Sequence, residues 1–163
     1  MKISNLTDLL AHTLEDVYFA ENKVLKALPK MAAAADSKDL AKAFTSHLKE
    51  TETHVARLEE VFAMMGKKPK ATPCPAILGI LDEAEELIKD IKDADTRDAE
   101  MIASAQAVEH YEITRYGTMI SWAKELGLKK VAAALEKTLK QEYACDQALT
   151  KIAEQRLNRE AVA

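Results

Sequence analysis

Several acids and two histidines fall where the surrounding pattern calls for apolar side chains. Advancing at about 100° per residue, Glu21 lies in line with Val17, Val24 and Leu28. Glu112 lies in line with Met101, Ala105, Met119 and Ala123, and Glu142 and Asp146 share the arc of Leu135, Leu139 and Leu149. His47 and His54 sit on a further apolar stripe, with Glu50 on its flank, whereas His12 and His110 point outward. Each unpaired buried ion costs several kcal/mol. The acids must therefore take up protons, pair with basic residues, or share cations. No Lys or Arg lies centrally on these stripes; Arg115, near Glu112, and Arg57, near Glu50, are the best-placed partners. A Glu from each of two helices, with a Glu and a downstream ligand from each of two others, is how helical bundles hold paired metals. Glu21, Glu50, His54, Glu112, Glu142 and Asp146 are therefore the candidate ligands for two divalent cations per chain. Iron is the first choice and manganese the second. Glu109 is a supporting or alternate ligand, and Tyr18 is a packed tyrosine or a donor to a ligating carboxylate. His47, two turns from His54, is read as structural.

The elements that position these residues follow from the same periodicity. Four long amphipathic segments are predicted. The first runs from Ser4, as N-cap, to Ala35, kinked or ended by Pro29; the second runs from the Asp36-Ser37 cap to Met65 and a Gly66 stop. The third is capped by Asp95-Thr96 and ends at Gly127. The fourth starts at Leu128 and frays into a polar tail. A basic, proline-rich linker over Gly66–Pro75 and a short helix over Ala76–Lys92 join the two pairs. This pattern makes an all-α, four-helix bundle of two antiparallel hairpins with a short crossover helix, in a single domain over residues 1–163. Measured from the turns at Asp36 and Gly127, Glu21, Glu50, Glu112 and Glu142 fall at one height. The hairpins repeat at an offset of 91 or 92 residues, Glu112 on Glu21, Glu142 on Glu50 and Asp146 on His54.

Composition agrees. In 163 residues there are four Gly and four Pro, too few for many short strands, and hydrophobic residues reach 48%. The net charge of -4 argues against a nucleic-acid surface. No apolar run suits a membrane span or a signal peptide, so a cytoplasmic protein is expected. Cys74 and Cys145 are read as incidental thiols. Phe44, Phe62, Trp122 and the short helix suggest an apolar patch, hence a homodimer.

The chain also resembles a known family. Tyr18-Phe-Ala-Glu21 with LKALPKM, HLKET with RLEEVF, QAVEHYEI with YGTMISWAKELG, and TLKQEYACD are similar to segments of the bacterial YciE/YciF family of ferritin-like, stress-associated proteins. The resemblance spans nearly the whole chain. It implies a ferritin-like bundle, a dinuclear metal centre and a dimer, with Glu21, Glu50, Glu112 and Glu142 as the carboxylates of the four helices. The ferritin-like Glu-x-x-His is stretched here to Glu50–His54 and Glu142–Asp146, and the second pair has no imidazole. Two functions follow from different classes: redox chemistry with peroxide or dioxygen at the metals, or a metal-free structural or interaction bundle in the stress response.

Overall fold

The computed structural model describes residues 3–162, and every regular element in that range is helical. Helices α1 (Leu6–Ala34), α2 (Lys38–Met64), α3 (Pro75–Asp90), α4 (Ala94–Glu125) and α5 (Lys129–Ile152) are followed by a π-helical turn, Ala153–Leu157, and a short α6, Asn158–Glu160. No helix among the described residues is long and apolar enough to cross a membrane.

The helix ends have identifiable chemical causes. Asn5, one residue beyond the expected Ser4, accepts the Asp8 amide at 2.9 Å, and Ser37 caps α2. Asp93 caps α4 by accepting the Thr96 amide and hydroxyl at 2.8 and 2.7 Å, so that helix begins just before the expected Asp95-Thr96. Gly66 and Gly127 adopt φ of +68° and +70°, the left-handed geometry that stops a helix without a Cβ clash. Pro29 does not end α1. Its ring is exposed while Val24 and Leu28 are buried, so packing on the inner face outweighs one missing backbone bond. The C-terminal segment also departs from the fraying expected of it. Ala153 and Leu157 are buried against the core, and this apolar anchoring carries helical structure to Glu160.

The α1/α2 and α4/α5 hairpins pack together through α2 on α5 and α1 on α4. Asp98, near the start of α4, accepts the amides of Asp36 and Ser37 at 3.0 and 2.6 Å. It therefore ties the head of α4 to the α1–α2 turn, so that α2 and α4 run in the same direction. Helix α3 lies along α4. The linker ahead of it is fastened by Glu15, whose Oε2 accepts from Lys70 Nζ and Thr72 Oγ1 at 2.8 and 2.7 Å.

The interior is divided along its length. One apolar cluster contains Leu10, Leu14, Val17, Leu58, Phe62, Met119 and Leu135. The other contains Val24, Leu28, Leu40, Phe44, Ile77, Met101 and Leu149. Phe44 and Phe62, expected to contribute to an interface, are core residues, and Trp122 is half-buried against the first cluster. Between the clusters lies a polar layer.

Candidate metal centre

Four helices supply that layer: Glu21 from α1, His47, Thr51 and His54 from α2, Glu109 and Glu112 from α4, and Glu142 from α5, all buried. His54 Nδ1 lies 3.0 Å from Glu142 Oε1 and 3.4 Å from Glu21 Oε1, yet neither contact is aligned as a hydrogen bond. Glu21, His54 and Glu142 each offer a ligand atom within 4.8 Å of the others, and so do Glu109, Glu112 and Glu142. Glu142 belongs to both groups. His47, Glu109 and Cys145 form a third such group.

The layer lacks partners for its charge. Both oxygens of Glu112, both of Glu142, one each of Glu21 and Glu109, and both nitrogens of His54 and of His47 have no hydrogen-bond partner among the described residues. The expected basic partners are engaged elsewhere. Arg57 donates to Thr138 and Gln141, and Arg115 lies over the Tyr111 ring. Without a cation, protons must serve. Burial, and then the charges of Glu21, Glu142 and Glu109, raise the Glu112 carboxyl well above its usual range. Burial likewise pushes Glu142 up to about 8, although the neighbouring His54 opposes it. For His54 burial favours the neutral ring, but Glu142 and Glu21 override it and hold the imidazole at about 9.

Two of the candidate ligands lie outside the convergent groups. Glu50 has a side chain 40% exposed, and its carboxylate is 3.7 Å from His47 Nδ1. The α2 position facing the layer is Thr51. Asp146 turns to the rim, where Gln106 Nε2 donates to its Oδ1 at 2.9 Å and the exposed His110 lies 3.3 Å away. The residue that reaches the layer one turn beyond Glu142 is Cys145. With these substitutions the duplication becomes uniform: Glu112, Glu142 and Cys145 each stand 91 residues beyond Glu21, Thr51 and His54. The α5 pair, Glu142-x-x-Cys145, then has the three-residue spacing of Glu-x-x-His.

Tyr18 donates to Glu59 at 2.8 Å, away from the layer. The buried tyrosine beside a site carboxylate is Tyr116, whose hydroxyl donates to Glu21 Oε1 at 2.5 Å. Sequence reasoning missed it, although it stands one turn beyond Glu112. Removing a donor from a buried charged acceptor costs about 1.5–3 kcal/mol. Tyr116→Phe should accordingly lower the melting temperature by several degrees at about 2–4 °C per kcal/mol. A thermal melt that matches wild type would show that this hydrogen bond contributes nothing to the layer.

Two antiparallel hairpins joined by a long crossover, closed around a layer of acids and imidazoles, define the ferritin-like class of helical bundle. Residues 5–162 match the family described as "Domain of unknown function (DUF892)", and the chain belongs to that family. It is 39% identical to Protein YciF of Escherichia coli (strain K12) over 162 residues, 99% of this chain and 98% of that one. The crystal structure of that E. coli stress protein aligns with a TM-score of 0.91, covering 96% of this chain and 99% of the other. YcfI of Rhodopseudomonas palustris is 46% identical, with a TM-score of 0.90 over 91% of this chain and 95% of that one. A ferritin-like, diiron-carboxylate protein of Bacillus anthracis str. Ames shares the fold at 20% identity, with a TM-score of 0.71 over 92% and 99% of the two chains.

Proposed function

We propose that the polar layer holds two divalent cations, iron before manganese, and that the protein serves a stress response through them. One observation carries this reading: Glu112 and Glu142 are buried with all four carboxylate oxygens unpartnered, and no Lys or Arg forms an ion pair with either among the described residues. The donor set suits such ions, being carboxylate-rich with one imidazole. Glu21, His54 and Glu142 would hold one cation, and Glu109, Glu112 and Glu142 the other, with Glu142 shared. Bound there, iron or manganese would supply one-electron chemistry toward peroxide or dioxygen.

The chain's own residues do the rest. Tyr116 fixes the orientation of Glu21 through its hydroxyl. The apolar clusters above and below the layer exclude bulk water, which strengthens the electrostatics between them. Loading removes the protons held by Glu112, Glu142 and His54, so metal affinity should rise with pH. The stress role rests on the kinship with YciF, which is described as a stress protein. A homodimer in the cytoplasm completes the proposal.

Elemental analysis of protein purified from its own host tests this. Up to two iron or manganese ions per chain is the expected content, with faster peroxide or dioxygen consumption than Glu142→Gln shows. A metal-free protein that takes up neither ion when both are supplied anaerobically contradicts it, and favours a structural bundle.

A further inference from the structure

The third group, His47, Glu109 and Cys145, has a different chemical character from the carboxylate centre. Three helices contribute one ligand atom each, all within 4.8 Å of one another. His47 is only 4% exposed, and its Nε2 stands 3.1 Å from Glu109 Oε1 without hydrogen-bond alignment. Its other nitrogen is also unpartnered, 3.7 Å from the half-exposed Glu50. Glu109, buried as well, has a second oxygen with no partner. A buried imidazole with two unpartnered nitrogens beside a buried carboxylate and a thiol is a costly arrangement if nothing binds it.

These three residues also line a cleft together with Phe44 and Leu81. Its interior of about 30 Å³ exceeds the roughly 10–15 Å³ that a single water requires. The cleft that these residues line therefore has room for a water, which an open zinc site requires.

We propose that His47, Glu109 and Cys145 form a thiolate-bearing site for a borderline-soft divalent cation of the zinc type, beside the carboxylate centre. Softness separates the two positions. Sulfur with imidazole favours zinc, whereas the oxygen-rich centre suits iron(II) or manganese. On ligation the thiol proton leaves to solvent and the sulfur binds as thiolate. Glu109 is common to both sites, so zinc here draws one carboxylate away from the neighbouring pair. The site goes beyond the carboxylate reading, because Glu21, His54, Glu112 and Glu142 supply none of its ligands.

Cobalt(II) is a suitable probe, since a thiolate bound to it gives an intense near-ultraviolet charge-transfer band that oxygen and nitrogen ligands do not. The full chain, titrated anaerobically with cobalt(II), should develop this band, and added zinc should bleach it. Cys145→Ser should abolish the band. Cys74→Ser and Glu142→Gln should each retain it. The Cys74 variant assigns the sulfur to Cys145 even if Cys145→Ser fails to fold. No band at saturating cobalt overturns the proposal, as does a band that survives Cys145→Ser or disappears with Cys74→Ser. Loss of the band in Glu142→Gln also overturns it, because Cys145 would then belong to the carboxylate centre. Failure of the carboxylate reading looks different: cobalt binding would be the same in wild type and Glu142→Gln.

Discussion

Glu142→Gln should remove most of the metal-dependent gain in melting temperature and yet stabilise the metal-free protein above pH 8. Binding to the folded state alone contributes about 2.7 kcal/mol when free metal is a hundredfold above its dissociation constant. In a protein of this size that corresponds to about 5–11 °C. Glu142 belongs to both carboxylate groups, so one amide weakens two cation positions without emptying the space. The metal-free effect has the opposite sign. Glu112 and Glu142 titrate above the ordinary carboxyl range, Glu142 at about 8, and His54 titrates at about 9. A raised folded-state value adds stability below the unfolded value and loses it as pH rises through the folded one. Wild-type protein without metal should therefore melt at progressively lower temperature from about pH 5 to pH 9. Glutamine has no proton to release, so the variant's profile should be flatter, the curves separating between about pH 5 and pH 8 and staying apart above it. Melts across this pH range, with and without ferrous iron under anaerobic conditions, measure both effects. A wild type indifferent to metal, together with a less stable metal-free variant at pH 9, would point to a lost hydrogen bond instead of relieved repulsion.

Asp98→Ala should be more damaging to the apoprotein than any single change in the polar layer. Asp98 is almost wholly buried and accepts two backbone amides at the α1–α2 turn. Hydrogen bonds to a charged acceptor contribute about 1.5–3 kcal/mol each. Alanine would leave both donors without a partner, and about 3 kcal/mol is a reasonable total. The melting temperature should fall by roughly 6–12 °C, with Asp98→Asn intermediate because it retains an accepting oxygen. Metal affinity should fall as well, since this clamp sets the height of α4 relative to α1 and hence of Glu112 relative to Glu21. A chemical-denaturation midpoint unchanged in Asp98→Ala would show that the helix register is held elsewhere.

The sequence made some features legible and hid others for physical reasons. Apolar stripes and the glycines at 66 and 127 mark the long helices because each is a local property of the chain. The offset between hairpins likewise revealed a layer fed by four helices. Its membership was harder to read. Positions three and four residues beyond Glu142 lie about 60° behind it and 40° ahead of it on a helical wheel. Both fall inside a wide apolar arc, and the tilt between packed helices, a tertiary quantity, selects the inward one. Hence Cys145 and not Asp146 reaches the layer on α5, and Thr51 rather than Glu50 faces it on α2. A uniform offset of 91 was the available signal, pairing Thr51 with Glu142 and His54 with Cys145. His47 reads as structural from its place two turns from His54, but Glu109 meets it from α4. Ala153 continues the apolar stripe of α5, but the turn beyond it is hidden because its one large apolar anchor, Leu157, sits in a polar stretch and shows its value only against a core.

Crystals of the protein soaked anaerobically in ferrous iron, with anomalous diffraction recorded on both sides of the iron edge, test the central claim most directly. Two peaks are expected in the polar layer, one beside His54 and Glu21, the other beside Glu112 and Glu109, with the Glu142 carboxylate between them. A map with no anomalous peak inside the bundle at saturating iron, and unmoved Glu112 and Glu142 side chains, would contradict it.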